Sequence, residues 1–271
     1  VSREASLCLL RTSILLTHVT NVDLLRDKEK LVANVVRTLV TTIEAKDEYT
    51  RGHSERVALF AQCLAREMQL PSERCERIYL TGLVHDVGKI GVSDAILKKP
   101  TALSDEEFEE IKRHPDEGWA IMRDLEQLAY VLPGVLYHHA RYDGRGYPDG
   151  LSGEDIPLDG RILAVADAYD AMTSDRAYRT GRSHEEAEAV LRDGAASQWD
   201  PVVIDAFFRV SEEISELRRN YRPPQRPQRK YSTVDVVEGD HEQRELESAT
   251  FDLTATSVEL QGVGATTDSL E

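Results

Sequence analysis

The sequence predicts an all-α protein, and three of its features lead to that prediction. Apolar residues recur with helical spacing over most of the first 221 positions, and the segment 31–45 is a clear example. Two Ser-x-x-Glu patterns, which begin at Ser104 and Ser183, match the capping box found at helix N-termini. The sequence has no convincing pattern of strand, turn and strand. We therefore expect a bundle of helices.

The first predicted helix covers residues 1–46, which contain neither proline nor glycine. Two interpretations of this helix stay open, and both can hold together. In one, residues 1–42 link the domain to an upstream sensor or receiver domain or to a partner, and a homodimer through this helix is one such arrangement. In the other, the segment is simply the first packed helix of the domain.

The helices that follow are predicted in chain order. In the segment 55–70, one apolar stripe is formed by Val57, Phe60, Ala61, Leu64 and Met68. The next helix begins at Pro71-Ser72, with Ser72 as its N-cap, and Gly88 closes it. Further helices are expected in the segments 104–114, 131–140 and 160–174.

The composition changes at about residue 221. Residues 43–221 form the predicted helical domain, and residues 222–271 begin with a proline-rich basic linker and continue as an acidic tail that we expect to be disordered. Of the net charge of −16, the segment 231–271 carries −9, because it has ten acidic residues and one arginine. An acidic chain of this kind is not expected to bind duplex DNA, which requires a basic surface.

The cysteines and the hydropathy of the sequence predict the cellular compartment of the protein. Cys8, Cys63 and Cys75 are odd in number and scattered, which argues against a disulfide framework and favours small buried side chains. No segment approaches the roughly 18 to 20 apolar residues that a membrane span requires. We therefore expect a cytoplasmic protein without a membrane span. Val1 as the first residue indicates a fragment or a processed start.

The candidate chemistry lies in the histidines. Of eight histidines, five fall at distinctive places in the helical domain, together with two aspartates: His53, His85, His114, His138, His139, Asp86 and Asp167. Imidazole and carboxylate groups suit Fe, Mn, Zn, Co or Ni. These ligands suffice for two metal ions, and two ions about 3.5–4 Å apart stabilise the attacking and the leaving oxygen in phosphoryl transfer.

Taken singly, these residues stay ambiguous. Asp86 ends a buried helix, where its carboxylate binds either a metal ion or a hydrogen-bond donor at the helix end. Asp167 lies in the middle of a helix among small alanines, where a carboxylate requires a metal ion or an arginine. Adjacent histidines such as His138-His139 usually diverge on a helix. The prediction of a metal site therefore depends on the whole set.

The order of these residues resembles that of a known family. His53, the pair His85-Asp86 and Asp167 follow the H…HD…D order of the HD metal-dependent phosphohydrolases. Three segments resemble more narrowly the HD-GYP family: HDVGKIG (85–91), HHARYDGRGYP (138–148) and DAYDAMTSDRAYR (167–179). The resemblance covers about residues 43–210. It implies an HD-type helical bundle and a bacterial phosphodiesterase that acts on cyclic di-GMP.

The resemblance also implies a role for each ligand. One metal ion would be bound by His53, His85, Asp86 and Asp167. A second would be bound by His114, His138 and His139, with Asp86 as the bridge between the two ions.

Substrate contacts are implied in the same way. Lys89 would bind a phosphate and act with Asp86 in catalysis, and Arg176 and Arg179 would clamp the phosphates of the dinucleotide. A surface charge is the alternative role for Arg179. Four residues of the glycine-rich loop would lie at the rim of the site: Asp143, Gly146, Tyr147 and Pro148. Alternatively, this loop is a rigid turn that supports the paired histidines, and the two roles are compatible.

One position departs from part of the family. Some members have a metal-binding glutamate four residues before the first histidine, where this chain has Tyr49. This difference predicts two metal ions and not three, and it puts in doubt whether the linear product 5′-pGpG is cleaved further to GMP. Two alternatives stay open: an HD enzyme for another cyclic nucleotide, and a non-catalytic cyclic di-GMP receptor or interaction module.

Overall fold

The computed structural model describes residues 3–46, 52–175 and 180–223, and in the first helix only part of the side chains. Within these residues the fold is helical, as predicted, without a named strand. The α-helices are α1 (Arg3–Lys46), α2 (His53–Glu67), α3 (Ser72–Val84), α4 (Asp94–Leu97), α5 (Asp105–Ile111), α6 (His114–Met122), α7 (Leu132–Tyr137), α8 (Leu158–Thr173), α9 (His184–Asp193), α10 (Pro201–Arg209) and α11 (Ser211–Asn220). Short 3₁₀ helices cover Val87–Gly91, Glu126–Val131 and Gly153–Asp155.

The larger hydrophobic cluster is built around α2 and α8. The predicted apolar stripe of α2 is confirmed: its first four members are buried in this cluster, and Met68 packs against it. The ring of Tyr169 on α8 lies between Phe60 and Phe207, with centroid distances of 5.5 and 5.2 Å. Burial of several such aromatic side chains is a main source of stability. The cluster therefore holds α2 and α8, which carry His53 and Asp167, against each other.

A second hydrophobic cluster joins the end of α1 to the segment after α3. Val36 and Ile43 of α1 are buried in it with Val84 and Val87. These two valines flank His85-Asp86 directly in the sequence. The end of α1 is therefore part of the packed domain.

Two glycines allow close approaches of the backbone near this point. A Cβ atom on Gly82 would lie 2.6 Å from the Cα atom of Ala58, and one on Gly88 would lie 1.8 Å from the carbonyl oxygen of His114. Neither position has room for a side chain. The absence of a side chain at Gly88 lets the start of α6 pack directly against the 3₁₀ helix after His85-Asp86.

Several predicted helix ends are confirmed and three are wrong. Both capping boxes are present, at Ser104 and Ser183. Ser72 is not an N-cap, because Pro71 has that position and Ser72 is the first helical residue. His114 does not end the helix that follows Ser104, because that helix ends at Ile111 and His114 begins α6. Gly88 does not close α3, which ends at Val84; Gly88 lies in the following 3₁₀ helix.

Other predictions lie outside the described residues. They are Tyr49, Arg176, Arg179, and the linker and tail from residue 224 onward. The predicted boundary between residues 42 and 43 stays a prediction, and α1 is continuous across it. None of the described helices is both long and apolar enough to cross a membrane.

Candidate metal centre

The seven predicted metal ligands converge from five parts of the fold. His53 begins α2, and His85-Asp86 follows α3. His114 begins α6, His138-His139 follows α7, and Asp167 lies on α8. His139 and Asp167 are half-buried, and the other five are buried. Such a concentration of polar groups in the interior requires compensating partners.

The ligand atoms form two groups that could each hold a metal ion. One consists of His53, His85 and Asp86, and the other of His114, His138 and His139; within each, the ligand atoms lie within 4.8 Å of one another. Asp167 joins the first group, because its Oδ1 lies 3.3 Å from Nε2 of His53.

The carboxylate of Asp86 lies between the two groups. Its Oδ2 lies 3.4 Å from Nε2 of His85 and 3.7 Å from Nε2 of His53. Its Oδ1 lies 3.4 Å from Nε2 of His114 and 4.0 Å from Nε2 of His138. One oxygen therefore faces each group, which is the arrangement expected of a bridging ligand.

Three histidine rings are oriented in the same way by the backbone. The Nδ1 atoms of His85, His114 and His138 lie 2.7, 2.8 and 2.8 Å from the carbonyl oxygen three residues earlier in the chain. A carbonyl only accepts hydrogen bonds, so each Nδ1 carries the proton and each Nε2 presents a lone pair toward Asp86. The tautomer that binds a metal ion through Nε2 is thereby selected before any ion binds.

Two details of the centre fit bound cations. Nε2 of His85 is buried and has no hydrogen-bond partner among the described residues. Nε2 of His114 lies 3.1 Å from Nε2 of His138. Because both atoms present lone pairs, they cannot donate to each other, and a shared cation would relieve their repulsion. The residues present therefore suit divalent metal ions.

The charges of Asp86 and of the second ligand group favour metal binding. Burial lowers the pKa of His114 to about 3 and also lowers the pKa values of His138 and His139, so these imidazoles are neutral at pH 7. Burial alone would raise the pKa of Asp86, but the nearby charge of Lys89 holds it well below its usual range. Neutral imidazoles beside an ionised carboxylate are the protonation states that metal ligands require.

His53 is held differently from the other histidines. Its Nδ1 lies 2.7 Å from Oδ2 of Asp170, which is buried. Arg56 donates to both oxygens of that carboxylate, at 2.5 and 2.9 Å, and to Ser174 at 3.1 Å. Burial would lower the pKa of His53, but hydrogen bonds to Asp167 and Asp170 raise it to about 10. A carboxylate behind a metal-binding imidazole fixes its orientation.

Asp170 and Arg56 are not among the site residues predicted from the sequence. A signal for Asp170 was present, because it follows Asp167 by three positions and so lies near the same face of α8. Arg56 follows His53 by the same interval on α2. The ion pair of Arg56 and Asp170 therefore lies behind the imidazole of His53.

The predicted substrate residues lie around this centre. Nζ of Lys89 is 2.6 Å from Oδ2 of Asp86. The Tyr147 ring stacks on the ring of His139 with 5.0 Å between centroids and 29° between planes, and Pro148 follows it across a cis peptide bond. At Gly146 a Cβ atom would lie 2.3 Å from a backbone nitrogen, so only glycine fits there.

Asp143 has contacts within the loop itself. Its carboxylate accepts hydrogen bonds from Arg141 at 3.1 and 2.7 Å and from the backbone N–H of Arg145 at 3.1 Å. These bonds stabilise the loop that presents Tyr147. They support the alternative in which the loop is a rigid turn.

A cavity of about 220 Å³ opens beside the centre. Three ligands form one wall of it: His138, His139 and Asp167. The remaining lining includes two alanines of α8, together with Gln198 and Trp199. Small residues at Ala164 and Ala168 leave this side of the ligands accessible to a bound molecule.

Comparison with known proteins identifies relatives of the chain. A family model described as an HD domain matches residues 37–203. A cyclic di-GMP phosphodiesterase of Pseudomonas aeruginosa is 42% identical over 181 residues, which cover 65% of this chain and 42% of the relative. A cyclic di-GMP phosphodiesterase of Thermotoga maritima is 34% identical over 219 residues, which cover 80% of this chain and 60% of the relative. A 3′3′-cGAMP-specific phosphodiesterase of Vibrio cholerae is 35% identical over 187 residues, with coverages of 69% and 43%.

Solved structures share the helical fold. An HDG"Y"P protein of Bdellovibrio bacteriovorus superposes with a TM-score of 0.50 at 19% identity, over 60% of this chain and 52% of that one. A cyclic GMP-AMP-specific phosphodiesterase of Vibrio cholerae has the same TM-score at 16% identity, over 69% and 48% of the two chains. The chain spans only 41 to 60% of the length of the cyclic di-GMP phosphodiesterases of Vibrio cholerae, Thermotoga maritima and Pseudomonas aeruginosa that it matches.

Proposed function

Because the chain belongs to the HD domain family, and within it to the HD-GYP proteins that its motifs resemble, we propose that it hydrolyses cyclic di-GMP at a two-metal centre. One observation carries this proposal: the Asp86 carboxylate directs one oxygen to each of two ligand groups. Hydrolysis of a phosphodiester is the reaction for which such paired sites are suited.

The proposed ligands divide evenly. One metal ion would be held by His53, His85, Asp86 and Asp167, and the other by Asp86, His114, His138 and His139. Bound divalent ions supply Lewis-acid charge to a phosphodiester and lower the pKa of a water molecule. The ligand types fit Fe, Mn, Zn, Co or Ni, and metal availability decides among these.

The chain's own residues bind and orient the dinucleotide in this proposal. The ammonium group of Lys89 lies beside Asp86, where its positive charge can offset negative charge that develops on a phosphate. Tyr147 presents a ring at the edge of the centre for stacking on a guanine or a hydrogen bond to a phosphate. Arg176 and Arg179 stay predicted phosphate partners. Cleavage of one phosphodiester gives linear 5′-pGpG.

The number of metal ions determines the proposed end product. Tyr49 stands where some family members have a glutamate for a third ion, and a neutral tyrosine is a poor replacement. We therefore propose two ions and pGpG as the main product. The cytoplasmic location, an upstream domain and a homodimer through α1 also stay predictions.

Substitution of Asp86 tests the proposed activity. Asp86→Ala should abolish hydrolysis of cyclic di-GMP by the manganese-loaded protein, because it removes a ligand from both groups at once. Asp205→Ala is the matched control, since Asp205 is exposed on α10. Product formation is followed by chromatography, and circular dichroism checks that the helices form. Substantial turnover by Asp86→Ala would contradict the proposal.

A second candidate substrate is 3′3′-cGAMP. Three relatives named as specific for it are 31 to 35% identical to this chain, a range that overlaps the 32 to 42% of the cyclic di-GMP relatives. Both dinucleotides present the same phosphodiester ring to the centre and differ in one base. Initial rates with cyclic di-GMP and with 3′3′-cGAMP, measured on one metal-loaded sample, distinguish the two. A higher kcat/KM for 3′3′-cGAMP would replace the first candidate with the second.

A further inference from the structure

The end of α1 packs beside the segment that carries the His85-Asp86 pair. Val36 and Ile43 are buried in the same hydrophobic cluster as Val84 and Val87, the neighbours of the His85-Asp86 pair. The match to the family model begins at residue 37, inside this part of α1. The end of α1 is therefore placed to influence the position of the pair.

Two polar side chains at the end of α1 extend this contact. Oε1 of Glu44 accepts a hydrogen bond from the backbone N–H of Gly52 at 2.8 Å, and Gly52 immediately precedes His53. Nζ of Lys46 donates to the carbonyl oxygen of Ile90 at 2.5 Å, at the end of the 3₁₀ helix that follows Asp86. One turn of α1 thus binds the backbone just before His53 and the backbone just after the His85-Asp86 pair.

Each contact pairs a charged side chain with a backbone group that favours that charge. Gly52 is buried and takes a left-handed conformation with φ of 72° at the start of α2, which has no side-chain cap of its own. A buried N–H requires an acceptor, and a carboxylate is favoured at a helix N-terminus. An ammonium group is favoured near the C-terminal carbonyl groups of a helix, and that of Lys46 lies at this end of the 3₁₀ helix Val87–Gly91.

A second route connects Glu44 to the same histidine. Burial lowers the pKa of the Arg56 guanidinium, but the hydrogen-bonded Asp170 carboxylate raises it, and the charge of Glu44 adds a smaller contribution in the same direction. Arg56 in turn holds the Asp170 carboxylate that orients His53. The Arg56 guanidinium also lies over the ring of Tyr221, 5.5 Å from its centroid.

We propose that Glu44 and Lys46 are positioning residues that fix the distance between His53 and the His85-Asp86 pair, and so set the metal affinity of the first ligand group. The inference rests on the metal centre of the proposed function. Because both contacts come from one turn of α1, a shift or rotation of this helix alters both together.

Paired variants test this inference by metal binding. Glu44→Met and Lys46→Met remove the hydrogen-bonding groups with little change of size. Glu216→Met and Lys30→Met are the matched controls, because both residues are exposed and neither makes a hydrogen bond or ion pair with another described residue. The dissociation constant for Mn²⁺ is measured by titration of metal-free protein, and the unfolding midpoint is measured with and without Mn²⁺.

We expect each contact variant to weaken Mn²⁺ binding about fivefold, the effect of losing one hydrogen bond, and the controls to be unchanged. The difference between the two unfolding midpoints should shrink, because metal stabilises the folded state in proportion to the logarithm of its affinity. A purely structural role would lower both midpoints equally and leave that difference unchanged. Lys46→Arg should restore the affinity.

Unchanged Mn²⁺ affinity and an unchanged midpoint difference in both variants would overturn the inference. Equal losses in the two controls would also overturn it. Failure of the proposed function has a different signature, because Mn²⁺ binding requires no substrate. If the unmodified protein binds Mn²⁺ but does not hydrolyse cyclic di-GMP, the positioning role is still tested by the same titrations. In an active enzyme, the variants should lower kcat at subsaturating Mn²⁺ and leave KM unchanged.

Discussion

Removal of the carboxylate behind His53 is the most informative single perturbation of the centre. In Asp170→Asn the side chain keeps its size but loses its charge and one of its two acceptor oxygens, so it no longer binds both Arg56 and the imidazole of His53 as a carboxylate. The side chain of Asp170 is 1% exposed and that of Arg56 is 15% exposed, so little water is available to replace these contacts.

Two effects of different size follow from this geometry. Breaking a buried ion pair costs about 3–5 kcal/mol, and the partial exposure of Arg56 places the expected loss of folding stability near the lower end, about 3 kcal/mol. Loss of the partner behind a metal-binding histidine typically lowers metal affinity about 10- to 100-fold. We therefore expect a less stable protein that also binds Mn²⁺ more weakly.

The two effects are separated by two measurements. Urea unfolding of the metal-free protein gives the change in folding free energy, and titration with Mn²⁺ gives the change in affinity. Asp205→Asn is the matched control, because Asp205 is exposed on α10 and should change neither quantity. A variant that binds Mn²⁺ as tightly as the unmodified protein would refute the role assigned to Asp170.

Three further predictions concern packing, charge and reactivity. Gly88→Ala should destabilise the fold by about 1–3 kcal/mol in urea unfolding, because the new methyl group collides with the backbone of His114; an unchanged midpoint would contradict the close packing. Lys89→Met should lower kcat for cyclic di-GMP with Mn²⁺ still bound, which elemental analysis checks, whereas full activity would exclude Lys89 as a phosphate partner. Burial raises the pKa of the Cys63 thiol to about 12, so a thiol reagent at pH 8 should modify it only after denaturation, as mapped by mass spectrometry; rapid labelling of the folded protein would contradict its burial.

The helical bundle could be predicted from the sequence because local patterns determine most of it. The stripe on α2 follows from periodicity, and the capping boxes follow from short-range hydrogen bonds. The error at His114 was avoidable, because Pro115 directly after it is a signal for the beginning of a helix. The error at Ser72 has a different cause, since Pro71 has the extended conformation that an N-cap requires.

The convergence of the seven candidate ligands was predictable from the sequence, but their supporting contacts were not. The histidines and aspartates of the centre come together as the motif order predicted. The bond from Glu44 to Gly52 and the bond from Lys46 to Ile90 depend on how α1 packs against the domain. Tertiary contacts of this kind have no signature in a single sequence, because the partners are polar side chains on one side and backbone atoms on the other.

The most direct test of the central claim combines two readings on one sample. Metal content is determined by elemental analysis of the purified protein, and the same sample is incubated with cyclic di-GMP while the products are separated over time. The two-metal centre predicts about two divalent ions per chain and accumulation of 5′-pGpG with little GMP. A metal-loaded sample that leaves cyclic di-GMP intact would contradict the account.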